Sequence, residues 1–253
     1  MRIAKKSTTG ETFHKSDLPT EVFNAMSSLV ERKDVWIRLM DISRKCFGFF
    51  TKTSTRSIEY PWVFDQLTRL KRDARILDIG AGISPLPIAL KQSEKVVETI
   101  DSHPIIWQVN PKNNWNEWGF LDYKNIDPKI QSFNEDVTRF TPVAPYDAIY
   151  SISVIEHMPR SEWEKTLKLT SSWLKPEGQL ILTLDLIPNT DDLWNRSEGK
   201  TVDTDSEHGT LADIHKTLSE VGYAIQDSFV KREIPYSKTD VAFLICQLSP
   251  IIT

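Results

Sequence analysis

The chain has 253 residues, of which 26% are charged and 40% hydrophobic, and its formal net charge is −4. This length fits one α/β domain with a modest extension, and the apolar content can fill a core, so disorder over most of the chain is excluded. A slightly acidic chain has no general basic field for phosphate backbones, so nucleic-acid binding is not expected.

The N-terminal part of the sequence predicts helices. Residues 20–42 place apolar side chains at roughly helical spacing. A second helix is expected to begin near Pro61, because proline suits the first turn of a helix. We therefore expect residues 1–73 to form an N-terminal helical extension or lid, and residues 74–253 to form the main domain.

The main domain alternates predicted strands with predicted helices. Such alternation is typical of a parallel sheet wound on both faces, in which ligands bind beyond the carboxyl ends of the strands. The last two strands are joined by a short polar connection that suits an antiparallel hairpin. The fold predicted is therefore α/β, doubly wound, with a mostly parallel seven-stranded sheet and an antiparallel terminal hairpin. The predicted strands are residues 75–80, 96–101, 129–136, 146–154, 179–186, 224–230 and 241–248.

A glycine pair stands at the end of the first predicted strand, in the segment from Asp78 to Gly82. Glycines at this point allow a tight turn and let a ligand approach main-chain N–H groups at a helix start. The chain has only 9 glycines, so two of them here indicate a ligand loop. Pro85 occupies the position of the third glycine in the dinucleotide fingerprint, which disfavours a nicotinamide-dependent oxidoreductase.

Carboxylates also end the next two predicted strands. Asp101 ends the second strand, where it can accept hydrogen bonds from both hydroxyls of a ribose. Asp136 ends the third and can accept from an exocyclic amine, beside Val137, which can pack on a purine. The ribose contact is shared by nicotinamide enzymes and adenosyl-sulfonium binders. Asp78 inside the strand-turn and the terminal hairpin favour the second group.

The region from about Arg56 to Leu248 resembles the class I S-adenosylmethionine-dependent methyltransferases. The resemblance is carried, in order along the chain, by LDIGAG, ETID, NEDV, YDAIYSISVIEHM and LKPEGQLILT. Ser84 stands where many members have a third glycine. The resemblance implies S-adenosyl-L-methionine as the cofactor.

The same resemblance implies a role for individual residues. The loop should face the methionine part of the cofactor, Asp101 the ribose, and Asp136 with Val137 the adenine. Arg56, at the N-terminal lid, could pair with the cofactor carboxylate, although an exposed arginine before a helix is an equal alternative. Asp136 also has an alternative role, as a solvated loop carboxylate. The predicted cofactor-binding residues are Arg56, Asp78, Gly80, Ala81, Gly82, Asp101, Asp136, Val137 and Ser151.

The segment from Ser151 to Met158 follows the fourth predicted strand and should lie beside the transferred methyl. Methyl transfer from a sulfonium requires alignment and, for a hydroxyl acceptor, a base. His157 is the first candidate base, because an imidazole titrates near neutral pH; the alternative is a packing role. His208 is the second, in the polar segment 188–209, where a substrate loop would lie.

The pair Glu156-His157 also resembles the small-RNA 2′-O-methyltransferases, in which a Glu-x-x-Glu-His cluster and a distant histidine hold magnesium. Ser153 occupies the first glutamate position here, which removes one anionic ligand. We therefore expect no metal site. His103 lies in a polar context and is given no role.

Aromatic residues are concentrated between the second and third predicted strands. Core packing is the default role for them, and an aromatic wall for a sugar ring or another flat acceptor is the alternative. The residues are Trp107, Trp115, Trp118, Phe120 and Tyr123.

The function expected is methylation of a small-molecule or saccharide-type hydroxyl or amine. A catalytically inactive S-adenosylmethionine-binding partner remains an alternative, and an RNA 2′-O-methyltransferase is a weaker one. No apolar stretch is long enough to cross about 30 Å of hydrocarbon. Cys46 and Cys246 have no CxxC spacing and are expected to be reduced. We therefore expect a cytoplasmic protein that has a small-molecule acceptor and does not contact membranes.

Overall fold

The structure is a computed structural model. It describes residues 24, 28, 30–48, 54–105, 119–194 and 208–249, and the backbone of 196–197 and 200–201. Three of the five aromatic residues for which core packing or an aromatic wall was expected, Trp107, Trp115 and Trp118, therefore lie outside the described residues. None of the helices that the structure describes combines the length and the apolar character needed to cross a bilayer.

Two helices precede the sheet. The first, α1, covers Lys33–Phe47, and residues 30–32 before it are not helical, so the single helix predicted for residues 20–42 is wrong. It ends at Gly48, which has a φ of 81° and donates its N–H to the carbonyl of Arg44 at 2.9 Å. Glycine at this left-handed position is the usual way to end a helix.

The second helix, α2, covers Arg56–Thr68 and begins five residues before the predicted start. Its first turn forms on the carbonyl of Thr55, which accepts the N–H groups of Ile58 at 2.9 Å and Glu59 at 3.0 Å. Pro61 lies inside the helix, where its only missing hydrogen bond is to the carbonyl of Ser57. The start near Pro61 was therefore a wrong prediction.

The strands of the described residues are β1 (Arg75–Ile79), β2 (Val96–Ile100), β3 (Gln131–Phe133), β4 (Tyr146–Ile152), β5 (Leu174–Leu186), β6 (Arg196–Ser197), β7 (Lys200–Thr201), β8 (Tyr223–Lys231) and β9 (Asp240–Leu248). Seven of them form one sheet with helices on both faces, and β6 and β7 pair with each other as a separate antiparallel two-stranded sheet. The strand order is β3-β2-β1-β4-β5-β9-β8, with β9 antiparallel to β5 and to β8 and the other pairs parallel. This confirms the predicted α/β fold with seven strands and an antiparallel terminal hairpin. The helices beside these strands are α3 (Leu86–Gln92), α4 (Arg160–Trp173) and α5 (Leu211–Glu220).

The sheet separates two apolar cores. Ile76 of β1 packs with side chains of α1, α2 and α3, whereas its neighbour Leu77 packs on the opposite face with α4 and α5. Successive side chains of a strand point to opposite faces, so a strand buried on both sides is mostly apolar. The layers leave the carboxyl ends of the parallel strands at one open edge.

Backbone hydrogen bonds hold together two parts of the segment between β5 and α5. Leu193 donates its N–H to the carbonyl of Gly209 at 3.1 Å, and Leu211 donates to Asp191 at 2.8 Å. Asp192 and Thr210 form an antiparallel bridge between these two bonds. We call this contact between residues 191–193 and 209–211 the β5–α5 clasp.

Candidate functional site

A cleft of about 410 Å³ opens at the carboxyl ends of β1, β2 and β4. Nine of the eleven residues predicted for the site line it, and Ser151 and His208 do not. The nine are Arg56, Asp78, Gly80, Ala81, Gly82, Asp101, Asp136, Val137 and His157.

The loop after β1 needs glycine at Gly80 for two reasons. Its φ is +73°, and a Cβ added there would lie 2.4 Å from Cγ2 of Val154. Its N–H donates to the carbonyl of Ile100 at 2.8 Å, which ties the loop to the end of β2. The backbone of the loop therefore lies against both neighbouring strand ends with no room for a side chain.

Tyr123 supports this loop from below. It is fully buried, and its hydroxyl accepts the N–H of Ser84 at 2.7 Å and lies 3.1 Å from the carbonyl oxygen of Gly82. Tyr123 is therefore a core residue that fixes the loop, and does not belong to an aromatic wall.

Asp101 is an ionised acceptor at the end of β2. Its Oδ2 accepts the N–H of Gly82 at 2.9 Å, and its Oδ1 lies 2.7 Å from the N–H nitrogen of His103 and 2.8 Å from its Nδ1. Burial raises the pKa of the Asp101 carboxyl, but hydrogen bonds from His103 and Gly82 outweigh burial and lower the pKa overall. The hydrogen bond between the Asp101 carboxylate and the His103 ring also raises the pKa of the His103 imidazole. An ionised carboxylate at this position can accept further hydrogen bonds from hydroxyl groups in the cleft.

Asp78 is a buried carboxyl in the wall of the cleft. Its exposed fraction is 3%, and its Oδ2 accepts from the hydroxyl of Tyr150, its register partner on β4, at 2.6 Å. Burial raises the pKa of Asp78 to about 8, and the charge of Asp101 adds to this rise. Because burial opposes its ionisation, this carboxyl would be stabilised in its charged form by a cationic group in the cleft.

Replacing Asp78 with asparagine should flatten the pH dependence of stability between about pH 5 and pH 8. Folding raises the pKa of this carboxyl from 3.8 to about 8, so its contribution to stability is complete below the unfolded pKa and is lost as pH rises through the folded pKa. One such proton changes the free energy of unfolding by up to about 1.4 kcal/mol per pH unit. The wild-type chain should therefore lose stability more steeply than Asp78→Asn.

The measurement is the difference between the two chains in urea midpoint across this pH range, without added ligand. The two urea midpoints are subtracted because His103 titrates in both chains, so its contribution cancels in the difference. Parallel curves would contradict a raised pKa at Asp78.

The far side of the cleft is formed after β3. Asp136 accepts the N–H of Thr138 at 2.8 Å, and this hydrogen bond lowers the pKa of Asp136. Val137 next to it is 8% exposed. The carboxylate of Asp136 can accept a hydrogen bond from the edge of a heterocycle, and the side chain of Val137 can pack on its face.

Arg56 is at the start of α2, with a side chain that is 11% exposed. It forms an ion pair with Glu59 and donates to Oγ of Ser153 at 2.8 Å. This arginine is therefore part of the wall of the cleft and is not the exposed residue of the alternative interpretation.

His157 ends a single 3₁₀ turn, Ile155–His157, directly after β4. Its ring lines the cleft, with a ring-centroid distance of 5.7 Å to Trp194 and an interplanar angle of 72°. The imidazole therefore lies at the cleft wall, where a base would be needed.

Ser151 and His208 lie behind the cleft. Ser151 is fully buried, and its hydroxyl donates to the carbonyl of Ile79 at 3.0 Å between two strands. His208 is 3% exposed, and its Nδ1 lies 2.9 Å from the carbonyl oxygen of Met158. Both side chains stabilise the backbone near the site and do not face it.

Glu156 is fully buried, with its Oε1 accepting the N–H of Asp185 at 2.9 Å. Burial and the charge of Asp185 raise the pKa of Glu156 well above its ordinary value. Among the residues that the structure describes, no group of three or more His, Cys, Asp or Glu side chains is arranged to hold a metal ion.

We expect EDTA to leave turnover unchanged. Ser153 cannot replace an anionic ligand, and its hydroxyl is hydrogen bonded to Glu59 at 2.8 Å. The test compares initial rates before and after chelation and dialysis. Activity that falls on chelation and returns with Mg²⁺ would contradict this expectation.

Several residues that line the cleft or support its wall were not identified from the sequence. Tyr150 gave a usable signal, since its hydroxyl lies in an apolar strand and needs a buried partner. His103 lies two residues after a strand-end carboxylate, a spacing that favours a local hydrogen bond. Ser153 gave a weaker signal, and Glu59 gave none, because a glutamate in a helix is usually solvated.

Residues 59–226 match a family model described as a methyltransferase domain. Pavine N-methyltransferase from Thalictrum flavum subsp. glaucum is 26% identical over 145 residues, which are 53% of this chain and 37% of that enzyme. The chain thus aligns with little more than a third of the length of this relative.

The fold is similar to that of two solved structures. One is 1,6-didemethyltoxoflavin-N1-methyltransferase from Burkholderia thailandensis with bound S-adenosylhomocysteine, at a TM-score of 0.57 and 13% identity, covering 95% of this chain and 93% of that one. The other is magnesium protoporphyrin IX methyltransferase from Synechocystis PCC 6803 with bound S-adenosylmethionine, at 0.54 and 16%, covering 93% and 100%. At these identities the similarity concerns the fold.

Proposed function

Since the chain belongs to the class I S-adenosylmethionine-dependent methyltransferases, we propose that it methylates an amine or hydroxyl of a small molecule. The observation that carries the proposal is the convergence of four groups on one cleft. These are the Gly80–Gly82 loop and the carboxyl groups of Asp78, Asp101 and Asp136, which lie near the carboxyl ends of three neighbouring strands. Strand-end groups of this kind form the ligand site of a doubly wound sheet.

The residues of the cleft fit the cofactor of this family. The loop at Gly80 admits no Cβ, so its backbone can approach a ligand closely. Asp101 would accept hydrogen bonds from the ribose hydroxyls, and Asp136 from the adenine amine. Asp78 would lie near the methionine part, where the positive charges of the cofactor offset the cost of ionising a buried carboxyl.

When bound, the cofactor supplies a methyl group that is already activated by a sulfonium charge. The chain then has to align the acceptor, exclude water and remove a proton. We propose that His157 takes the acceptor proton, because its imidazole lines the cleft directly after β4. Met158 and Pro159 follow it in the lining and give the acceptor an apolar contact.

Carboxylates outnumber the arginine in the charged lining of the cleft, which contains Asp101, Glu135, Asp136 and Glu162 together with Arg56. Such a surface attracts cations, which favours an amine acceptor over an anionic one. Two of the similar proteins are named as N-methyltransferases, and this agrees with an amine. A hydroxyl acceptor is the second candidate, favoured by the position of His157.

We also propose that the protein is located in the cytoplasm. Cys46 and Cys246 are free thiols. Burial raises the pKa of Cys46 to about 11 and that of Cys246 to about 12, so both stay protonated and unreactive.

Two measurements test the proposed function. Calorimetric titration should show binding of S-adenosylmethionine and S-adenosylhomocysteine but not of NAD. Release of S-adenosylhomocysteine is then followed over a panel of aliphatic amines, nitrogen heterocycles, phenols and saccharides. A chain that binds NAD but neither S-adenosyl compound would contradict the proposed cofactor. A chain that binds the cofactor but produces no S-adenosylhomocysteine with any acceptor would be a catalytically inactive binding protein.

A further inference from the structure

Glu59 lies fully buried behind the wall of the cleft. Its Oε1 accepts from the hydroxyls of Thr183 at 2.6 Å and Ser153 at 2.8 Å, and its Oε2 accepts from the guanidinium of Arg56. Burying a carboxylate is costly unless it is paired and hydrogen bonded. The contacts come from α2, β5 and the residue after β4, so this carboxylate joins the N-terminal extension to the sheet.

Two of these partners reach the cleft. Arg56 and Ser153 line it, whereas Glu59 and Thr183 do not. Ser153 has a φ of 48°, a left-handed conformation that is unfavourable for a residue other than glycine. Its N–H donates to the carbonyl of Thr183 at 3.0 Å, and its Oγ accepts from Arg56 at 2.8 Å. The network therefore holds an unfavourable backbone conformation at the cleft wall.

We infer that Glu59 is a positioning residue for the α-amino carboxylate end of the cofactor. It acts by fixing the guanidinium of Arg56 and the hydroxyl of Ser153 at the cleft. An amino acid end carries one positive and one negative charge, and the Arg56–Glu59 pair also has no net charge. A paired guanidinium in one orientation therefore suits this end better than a lone, mobile arginine. This inference rests on the proposed function.

The test compares Glu59→Gln with wild type for two probes, S-adenosylhomocysteine and 5′-methylthioadenosine. The second probe has the adenosine part of the first but lacks the amino acid end. Glutamine keeps an oxygen for the two hydroxyls but turns an N–H donor toward Arg56, which is itself a donor. We expect the Kd of S-adenosylhomocysteine to rise by about tenfold or more, and that of 5′-methylthioadenosine to stay within about twofold.

Glu98→Gln is the matched control. Glu98 is another buried carboxylate, 5% exposed, which pairs with Arg75 at 2.7 Å and accepts from Tyr146 at 2.6 Å away from the cleft. It should lose stability in the same way while both Kd values keep their ratio. A Glu59→Gln chain with unchanged affinities, or with equal loss for both probes, would overturn the inference. A wild-type chain that binds neither probe would instead overturn the proposed function, and the inference with it.

Discussion

Gly80→Val should abolish cofactor binding, with a rise in Kd of at least about a hundredfold, equivalent to about 2.7 kcal/mol. Valine is a poor fit to a φ of +73°, and its Cβ would lie 2.4 Å and 2.5 Å from the two methyl carbons of Val154. Either the loop or the turn at residues 153–154 must move. Both line the cleft, so either movement disrupts the site. The measurement is calorimetric titration with S-adenosylhomocysteine.

Gly222→Val separates the effect on the site from backbone strain. Gly222 also has a positive φ, +93°, but a Cβ there would meet no heavy atom of the described residues within 4 Å. It precedes β8 and does not line the cleft. This control should lose stability yet bind the ligand like the wild type, and circular dichroism should show both variants folded. A folded Gly80→Val chain with wild-type affinity would remove the loop from the cofactor site.

His157→Ala should retain cofactor affinity while turnover falls by at least about a hundredfold. A positioned base contributes about 10²- to 10⁴-fold when a proton must leave during bond formation. With the imidazole removed, the proton must pass to solvent, so the residual rate should rise with pH. The measurement is kcat and KM across pH, on the acceptor found in the panel, together with the Kd of S-adenosylhomocysteine.

His215→Ala is the control for loss of a histidine as such. Its ring lies on α5, with Nε2 3.2 Å from Oγ of Ser228, and it does not line the cleft. Turnover of this variant should equal that of the wild type. A fall of only a few-fold in His157→Ala would show that His157 packs against Trp194 and that the enzyme works by alignment. Joint loss of stability and cofactor binding would also contradict a role as base.

The strands and the cleft were predictable because local patterns determine them. A strand buried on both faces has to be mostly apolar, as β1 is at Ile76, Leu77 and Ile79, with Asp78 as its one buried polar residue. Parallel strands bring their carboxyl ends to one edge of the sheet, so Asp78 and Asp101 line the same cleft however the helices are arranged. The antiparallel end of the sheet followed from the short connection before β9.

The N-terminal contribution was not predictable, because it depends on tertiary contacts. The start of α2 before Pro61 is fixed by bonds to the carbonyl of Thr55, which any residue type offers. From the sequence alone, Glu59 would be taken for a solvated charge on a helix. Only the structure shows that the hydroxyls of Thr183 and Ser153 are its partners. These two residues lie far along the chain, and no spacing in the sequence connects them with α2.

The β5–α5 clasp makes one part of the chain replaceable. Its bonds at residues 191–193 and 209–211 close the segment between them at a fixed point, beside Trp194 and the His157 ring. The entropic cost of closing such a segment grows only with the logarithm of its length. Segments of different length and composition can therefore be exchanged there while the strand ends that form the cleft stay as they are. If the proposed function holds, a scaffold of this kind can acquire a new acceptor preference without any change in the cleft proposed to bind the cofactor.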